Sequence, residues 1–257
     1  MSERPEERSD WLHVAEEAVR CAGKFLVHAR TYEPKIVAEL ERDVKLAADR
    51  ESEERIIHVL RQKSNFTILS EEHGTNRGVD PCPELRWIVD PLDGSVNYLK
   101  GIPLCCASVG LWREEEPLLG AIYDFNRGEL FTGIVGVGAW LNGMSIRVSS
   151  TSKRDQALLC TGFPVSTDFS CDSLGRFVEQ VREHKKIRLF GSGALSLAYV
   201  AAGRADAYYE RNIKLWDVAA GLAIVGGGGG RVVRVASDIP HALTVYADNG
   251  FLPRPCF

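Results

Sequence analysis

The chain has 257 residues, 45% hydrophobic and 26% charged, a composition that fits a soluble globular protein with one generous core or two closely packed halves. Disorder and fibrous architecture are excluded. A formal net charge of -4 argues against the clustered basic surface of a nucleic-acid or anionic-membrane binder and leaves small molecules as the expected partners.

The opening run from Met1 to Arg8 is polar, with neither the apolar core of a signal peptide nor a membrane span, so a cytoplasmic location is expected. The cysteines, Cys21, Cys82, Cys105, Cys106, Cys160, Cys171 and Cys256, are odd in number and show no Cys-x-x-Cys spacing. They read as reduced thiols, many packed in the core, and not as a disulfide framework or zinc cluster.

Trp11, Val14, Ala15, Ala18, Val19, Ala22, Phe25 and Leu26 recur at helical spacing and predict a long amphipathic first helix. A second helix is predicted from near Asp49 through Ile56, Ile57 and Leu60, with Glu51, Glu53 and Glu54 in its first turns, where acids suit the helix dipole. Phe66 to Leu69 reads as a short strand that leads into Ser70-Glu71-Glu72-His73-Gly74. Trp87 to Val89 reads as the next strand, stopped by Pro91 and Gly94, with Asp90 and Asp93 at its exit.

From Cys105 to Trp140 the pattern becomes an antiparallel meander, with strands at Ala107 to Trp112, Leu118 to Tyr123 and Leu130 to Ile134. The second half alternates: strands at Leu158 to Cys160, Ile187 to Leu189, Ala207 to Tyr209 and Arg231 to Val235, with helices near Ser173 to His184, Ala194 to Ala202 and Leu215 to Val225. Mixed helix and strand layers are implied. No repeat, low-complexity linker or long charge run divides the chain, so one domain over 1–257 is expected, built of two packed halves at roughly 1–145 and 146–257.

Asp90 and Asp93 cannot face the same way on a continuous strand, but a proline-induced turn can converge them. Like charges held together repel unless a cation lies between them, and hard divalent cations prefer oxygen ligands, so this pair points to a magnesium site. Gly94-Ser95 can open a helical turn whose amide groups cradle a phosphate. A phosphate bridging two ions about 3.5 to 4 Å apart is the arrangement of metal-assisted phosphoester hydrolysis. Asp217, which opens the helix after Trp216, reads by itself either as a helix cap or as a further ligand.

Asp90-Pro91-Leu92-Asp93-Gly94-Ser95 resembles the signature of the inositol monophosphatase family, and Leu215-Trp216-Asp217-Val218-Ala219-Ala220-Gly221 resembles its second signature. Ser70-Glu71-Glu72 and Asp49 fall where that family has its glutamate and its water-activating aspartate. The resemblance implies an α+β fold, the layered αβαβα sandwich of the inositol monophosphatase / fructose-1,6-bisphosphatase type, together with Mg2+ (two or three ions per site), lithium sensitivity and a homodimer.

It also implies roles for individual residues. Glu71, Asp90 and the Leu92 carbonyl would hold one magnesium ion; Asp90, Asp93 and Asp217 would hold a second; Glu72 would help a weaker third. Ser95 paired with Asp49 would orient and deprotonate the attacking water, with Glu71 as a further catalytic group, and the Gly94 and Ser95 amides would grip the phosphate. Asp93, Gly191, Ser192, Gly193 and Glu210 would meet the alcohol portion. No covalent phosphoenzyme is expected.

The activity so implied is magnesium-dependent hydrolysis of inositol 1-phosphate or a similar polyol or sugar phosphate. Fructose 1,6-bisphosphate, histidinol phosphate, a nucleotide 3'-phosphate or a specialised sugar phosphate remain alternatives within the class. A regulatory binding protein on the same fold, with or without catalysis, is the alternative from another class. Three departures from the family pattern stand out: Ser95 in place of threonine, Gly193 in place of alanine, and the run Gly226 to Gly230 in place of a segment with a glutamate. Gly226-x-Gly228 and Gly191-x-Gly193 are weak matches to a dinucleotide loop, since Arg231 and Ser196 fall where the third glycine is needed. The lysine often found well upstream of the Asp49-like position in the family has no clear equivalent here, although Lys45 lies near, and His73 reads as a solvated turn residue.

Overall fold

The computed structural model describes residues 5–32, 34–39, 44–76 and 84–254. In chain order these form α1 (Pro5–Ala29), β1 (Ile36–Glu39), β2 (Val44–Leu46), α2 (Ala47–Lys63), β3 (Thr67–Ser70), β4 (Gly74–Asn76), β5 (Leu85–Asp93) and α3 (Ser95–Leu99). The meander follows as β6 (Cys106–Arg113), β7 (Glu116–Asp124), β8 (Glu129–Ile134), β9 (Gly138–Leu141) and β10 (Met144–Ile146). A 3-10 turn (Arg154–Gln156) leads to β11 (Leu158–Thr161), α4 (Cys171–Glu183), β12 (Lys186–Arg188), α5 (Gly193–Ala201), β13 (Ala207–Lys214), α6 (Leu215–Gly227), β14 (Arg231–Ala236) and β15 (Ala242–Asp248).

The strands make an eight-stranded sheet in the order β10-β9-β8-β7-β6-β5-β3-β4, a five-stranded sheet in the order β12-β11-β13-β15-β14, and a β1-β2 ribbon. Helices α1 and α2 cover one face of the large sheet, α5 and α6 fill the space between the two sheets, and α4 lies beside β12 of the small one. This is the α+β, αβαβα layering expected from the sequence.

Period-two alternation explains why β5 reads as unbroken apolar sequence. Trp87 and Val89 pack among α1 and α2, while Ile88 points the other way, into the core shared with α5 and α6. A strand buried on both faces needs no polar alternation. Helix α6 is apolar all round for the same reason, since it is enclosed between two sheets.

A row of glycines sets how closely α6 approaches. Gly110, Gly120 and Gly133 are cross-strand neighbours on β6, β7 and β8. A Cβ on Gly120 would stand 2.4 Å from the Ala220 carbonyl oxygen, and one on Gly133 would stand 2.7 Å from the Ile224 Cα. The far end of α6 is equally tight: a Cβ on Gly227 would stand 2.3 Å from the Gly138 carbonyl oxygen. The glycine at 227 is thus a packing requirement at the end of a helix, where a glutamate has no room.

Two sequence expectations need correction. Strand β5 does not stop at Pro91 but runs to Asp93, with a register shift against β6 between Asp90 and Asp93. Proline has no N–H to give the ladder, and a bulge is where a strand tolerates it. The second is β15, a central strand of the small sheet that pairs with both β13 and β14. Its Leu243-Thr244-Val245-Tyr246 carries the usual strand signal but was not among the predicted elements. Among the described residues no helix is long and apolar enough to cross a membrane, and Cys21, Cys105, Cys106, Cys160 and Cys171 are free thiols. Cys82 and Cys256 lie outside the described residues.

Candidate active site

Strands β3 and β5 run parallel with Ser70 opposite Val89, so Glu71, the first residue past β3, falls beside Asp90 of β5. Asp90 is 1% exposed, and its Oδ1 accepts a hydrogen bond from the Leu92 amide at 3.0 Å. The bulge at Pro91 breaks the alternation and lets Asp93 share this end of the sheet. Ser52 of α2 fastens the bulge by donating its hydroxyl to the Pro91 carbonyl at 2.8 Å.

Asp93 Oδ2 accepts from the Ser192 hydroxyl at 2.6 Å and from the Ala194 amide at 2.8 Å, which ties the end of β5 to the start of α5. The start of α5 in turn packs on the start of α6: a Cβ on Gly193 would lie 3.4 Å from the Asp217 Cβ. Asp217 is in the first turn of α6, whose N-cap position is Lys214, so it is not the capping residue itself. The sequence-predicted acids Glu71, Asp90, Asp93 and Asp217 therefore converge at the ends of three elements, β3, β5 and α6.

Asp49 lies in the first turn of α2. Its Oδ2 accepts the Leu46 amide at 2.6 Å, reaching back over the helix start, and its Oδ1 accepts the Ser95 hydroxyl at 3.2 Å. Burial, chiefly, pushes the Asp49 carboxyl up to about 7; the Leu46 amide and the Ser95 hydroxyl pull it back, and the Glu72 charge adds to the rise. Ser95 also stands 3.0 Å from the Leu92 carbonyl oxygen, and Gly94 before it has φ +89°. A Cβ on Gly94 would lie 2.8 Å from the Leu104 carbonyl oxygen, so glycine is required there twice over.

The acids strain against one another. Asp90 is pushed well above the usual carboxylate range, first by burial and then by the charges of Glu71, Asp93 and Asp217. Burial pushes Asp93 up to about 6 against the hydrogen bonds from Ser192 and the Ala194 amide. Among the described residues no lysine or arginine pairs with Asp90 or Asp93. The donor set is all oxygen, buried and anionic, and suits a hard divalent cation. As the side chains stand, however, no three acidic, histidine or cysteine groups among the described residues are close enough to share an ion. The electrostatic coupling and the ligand spacing thus disagree; the coupling follows from where the backbone places the acids, whereas the spacing depends on carboxyl rotations such as that of Asp93 onto Ser192.

Two predicted site residues are already engaged. Glu72, whose side chain is 3% exposed, sits on the Lys45 ammonium, with Arg50 Nε 3.7 Å from its other oxygen, and its charge acts on Asp49. Ser192 is 5% exposed and gives its hydroxyl to Asp93 while capping α5 through the Leu195 amide, which makes it a support for Asp93. Gly191 has φ +67° and lies against Asn97, whose Nδ2 donates to the Leu104 and Phe190 carbonyls at 2.8 Å each.

Glu210 of β13 is buried, and its Oε1 fills the space a Cβ on Gly162 would need, 2.5 Å away. Burial, then the Asp93 charge, pushes it up to about 8. Tyr208, fully buried beneath Gly193, directs a hydroxyl towards Glu210; no hydrogen bond to that hydroxyl meets ordinary limits, so the interaction is a longer electrostatic one.

Sequence reasoning passed over Glu53. It is fully buried and holds the whole Glu71 turn, accepting from the Ser70 hydroxyl, the Glu72 amide at 3.0 Å and the His73 amide at 3.2 Å, with His73 Nδ1 3.1 Å from its Oε1. A glutamate one helical turn after Asp49 was the available signal, since both then share a face of α2. His73 is accordingly paired with Glu53 and takes no place among the candidate ligands.

A model of the inositol monophosphatase family matches residues 7–252. The chain belongs to the inositol monophosphatase family. It is a phosphoric monoester hydrolase by that membership. Among its relatives are an inositol-1-monophosphatase from Synechocystis sp., 36% identical over 234 residues (89% of this chain, 80% of that protein), and Nus factor SuhB from Pasteurella multocida, 37% identical over 227 residues (86% and 84%). The crystal structure of extragenic suppressor protein suhB from Bartonella henselae superposes with a TM-score of 0.86 at 33% identity, covering 94% of this chain and 95% of that one.

Proposed function

We propose that this inositol monophosphatase family member is a magnesium-dependent phosphomonoesterase that hydrolyses inositol 1-phosphate or a similar polyol or sugar phosphate. The observation that carries this reading is the Ser95–Asp49 hydrogen bond beside the convergent acids at the ends of β3, β5 and α6. A buried aspartate titrating near neutrality and joined to a hydroxyl is matched to a proton-abstraction task.

Glu71, Asp90, the Leu92 carbonyl, Asp93 and Asp217 would hold two ions. When bound, divalent cations polarise the phosphoryl group, favour ionisation of a water and stabilise the departing oxygen. The chain's own contribution is positional. Ser95 orients the water, Asp49 receives its proton through the Ser95 hydroxyl, and the amides at Gly94 and Ser95 hold the phosphate in line. Gly191, Gly193 and Glu210 line the alcohol side, where a buried acid gives a polyol hydroxyl an oriented partner. A homodimer, lithium inhibition and a single domain of two packed halves accompany this reading as family expectations.

The relative named inositol-1-monophosphatase supports an inositol substrate, and the relatives named Nus factor support a second reading, a regulatory binding role on the same fold. The test is phosphate release, with and without magnesium, across inositol 1-phosphate, fructose 1,6-bisphosphate, histidinol phosphate, 3'-phosphoadenosine 5'-phosphate and several sugar phosphates. Magnesium-dependent preference for a polyol phosphate is expected. No release from any of them by protein that demonstrably binds magnesium would favour the regulatory role.

A further inference from the structure

Glu72, beside the candidate site, has a side-chain cation at each carboxylate oxygen. Oε1 pairs with the Lys45 ammonium and Oε2 lies 3.7 Å from Arg50 Nε. The Lys45 ammonium also reaches Glu71 Oε1 at 3.8 Å, so one positive charge spans the two adjacent acids. Lys45 is on β2, Arg50 is in the first turns of α2, and the Glu72 amide is held by Glu53.

Resting on the proposed metal-dependent reading, we infer that Lys45 is a resident cation that occupies, beside Glu72, the place an outer divalent ion would take, and limits this chain to the ions held by Glu71, Asp90, Asp93 and Asp217. A carboxylate side chain 3% exposed needs a counter-charge, and Lys45, itself 28% exposed, supplies it permanently. Lysine suits the role better than arginine because its ammonium is a compact, strongly hydrated point charge, close in character to an aquo ion. A divalent ion brought onto Glu72 would stand within ion-pair distance of that ammonium and be repelled by it. Arg50, 57% exposed, is the looser of the two flanking cations and can swing away into solvent.

The inference separates Glu72 from the other acids, and counting ions tests it directly. The metal-free full chain is titrated with Mn2+ and free Mn2+ is followed by electron paramagnetic resonance, for the parent, Lys45→Met, Lys45→Arg, Glu72→Gln and the double variant Lys45→Met/Glu72→Gln. Lys45→Met is expected to bind one further ion, or to tighten the weakest by at least about tenfold, while Lys45→Arg and Glu72→Gln keep the parent's count and the double variant loses the gain. Unchanged Mn2+ binding in folded Lys45→Met overturns the inference. Loss of an ion in Glu72→Gln overturns it independently, and needs no lysine variant to fold. Absence of Mn2+ binding by the parent refutes the metal reading itself, a result distinct from either.

Discussion

The Ser95 hydroxyl lies 3.2 Å from Asp49 Oδ1 and 3.0 Å from the Leu92 carbonyl oxygen, which joins the starts of α2 and α3 to the end of β5 in one contact. A hydroxyl has one hydrogen, so it serves these two acceptors by turns and can release Asp49 to a water. Asp49→Asn and Ser95→Ala are each expected to lower kcat by about 10²- to 10⁴-fold. Because the two act as a unit, the double variant should lose little more than the worse single one. Phosphate-release kinetics on all three variants check this; losses that multiply would show that the pair does not work together.

Glu53 is expected to matter more for ion binding than its distance from substrate suggests. Glu53→Gln removes the charge that gathers Ser70, Glu72 and His73, and should cost about 2 kcal/mol of stability. It should also weaken divalent-ion binding, since the turn carrying Glu71 loses its anchor. Urea denaturation and Mn2+ titration read the two effects separately, and parental values in both would remove Glu53 from the site's support.

Glu210 gives a pH dependence with a definite sign. Its folded carboxyl sits at about 8, above the ordinary value of 4.5, so the fold favours the protonated form. That stability is fully present below pH 4.5 and is lost progressively as pH rises through 8. At about 1.4 kcal/mol per tenfold change in proton affinity, the ceiling is about 5 kcal/mol for the metal-free protein. Glu210→Gln should abolish this component, so the variant gains on the parent between pH 5 and pH 8.5. Thermal or urea unfolding of both at the two pH values decides, and parallel pH profiles would place Glu210 in a wetter environment than the structure has.

The glycine row predicts opposite outcomes for one chemical change. Gly120→Ala forces a methyl onto the Ala220 backbone and should cost about 2 to 3 kcal/mol, with activity falling because α6 carries Asp217. Gly175→Ala, in α4, meets nothing within 4 Å and should be neutral or stabilising by up to about 1 kcal/mol. Denaturation midpoints measure both; equal effects would mean α6 can lift without penalty.

Much of this protein is legible in its sequence. The apolar spacing of Trp11 to Leu26 is that of α1, the alternating runs from Ala107 to Ile134 are β6, β7 and β8, and the acids of Asp90 to Asp93 do stand at the end of a buried strand. These features are local: helical and strand periodicity, turn residues and short motifs act over a few neighbours, and composition reports them faithfully. The ribbon β1-β2 and the short strands β4, β9 and β10 escaped, since three or four residues carry little periodicity; β3, β11 and β12, equally short, were legible through their apolar residues Ile68-Leu69, Leu158-Leu159 and Ile187.

What the sequence determined by itself is the inventory: which segments are helix or strand, which strand ends carry acids, and the family to which the paired signatures belong. Only the tertiary structure decided what each polar group is spent on. Glu53, Glu72 and Ser192 are chemically eligible for catalysis in the sequence. Packing assigns Glu53 to the Glu71 turn, Glu72 to Lys45 and Ser192 to Asp93, across separations of 17 to 99 residues. A buried charge must find its partner within a few ångströms, and the folded chain alone settles which groups lie that near.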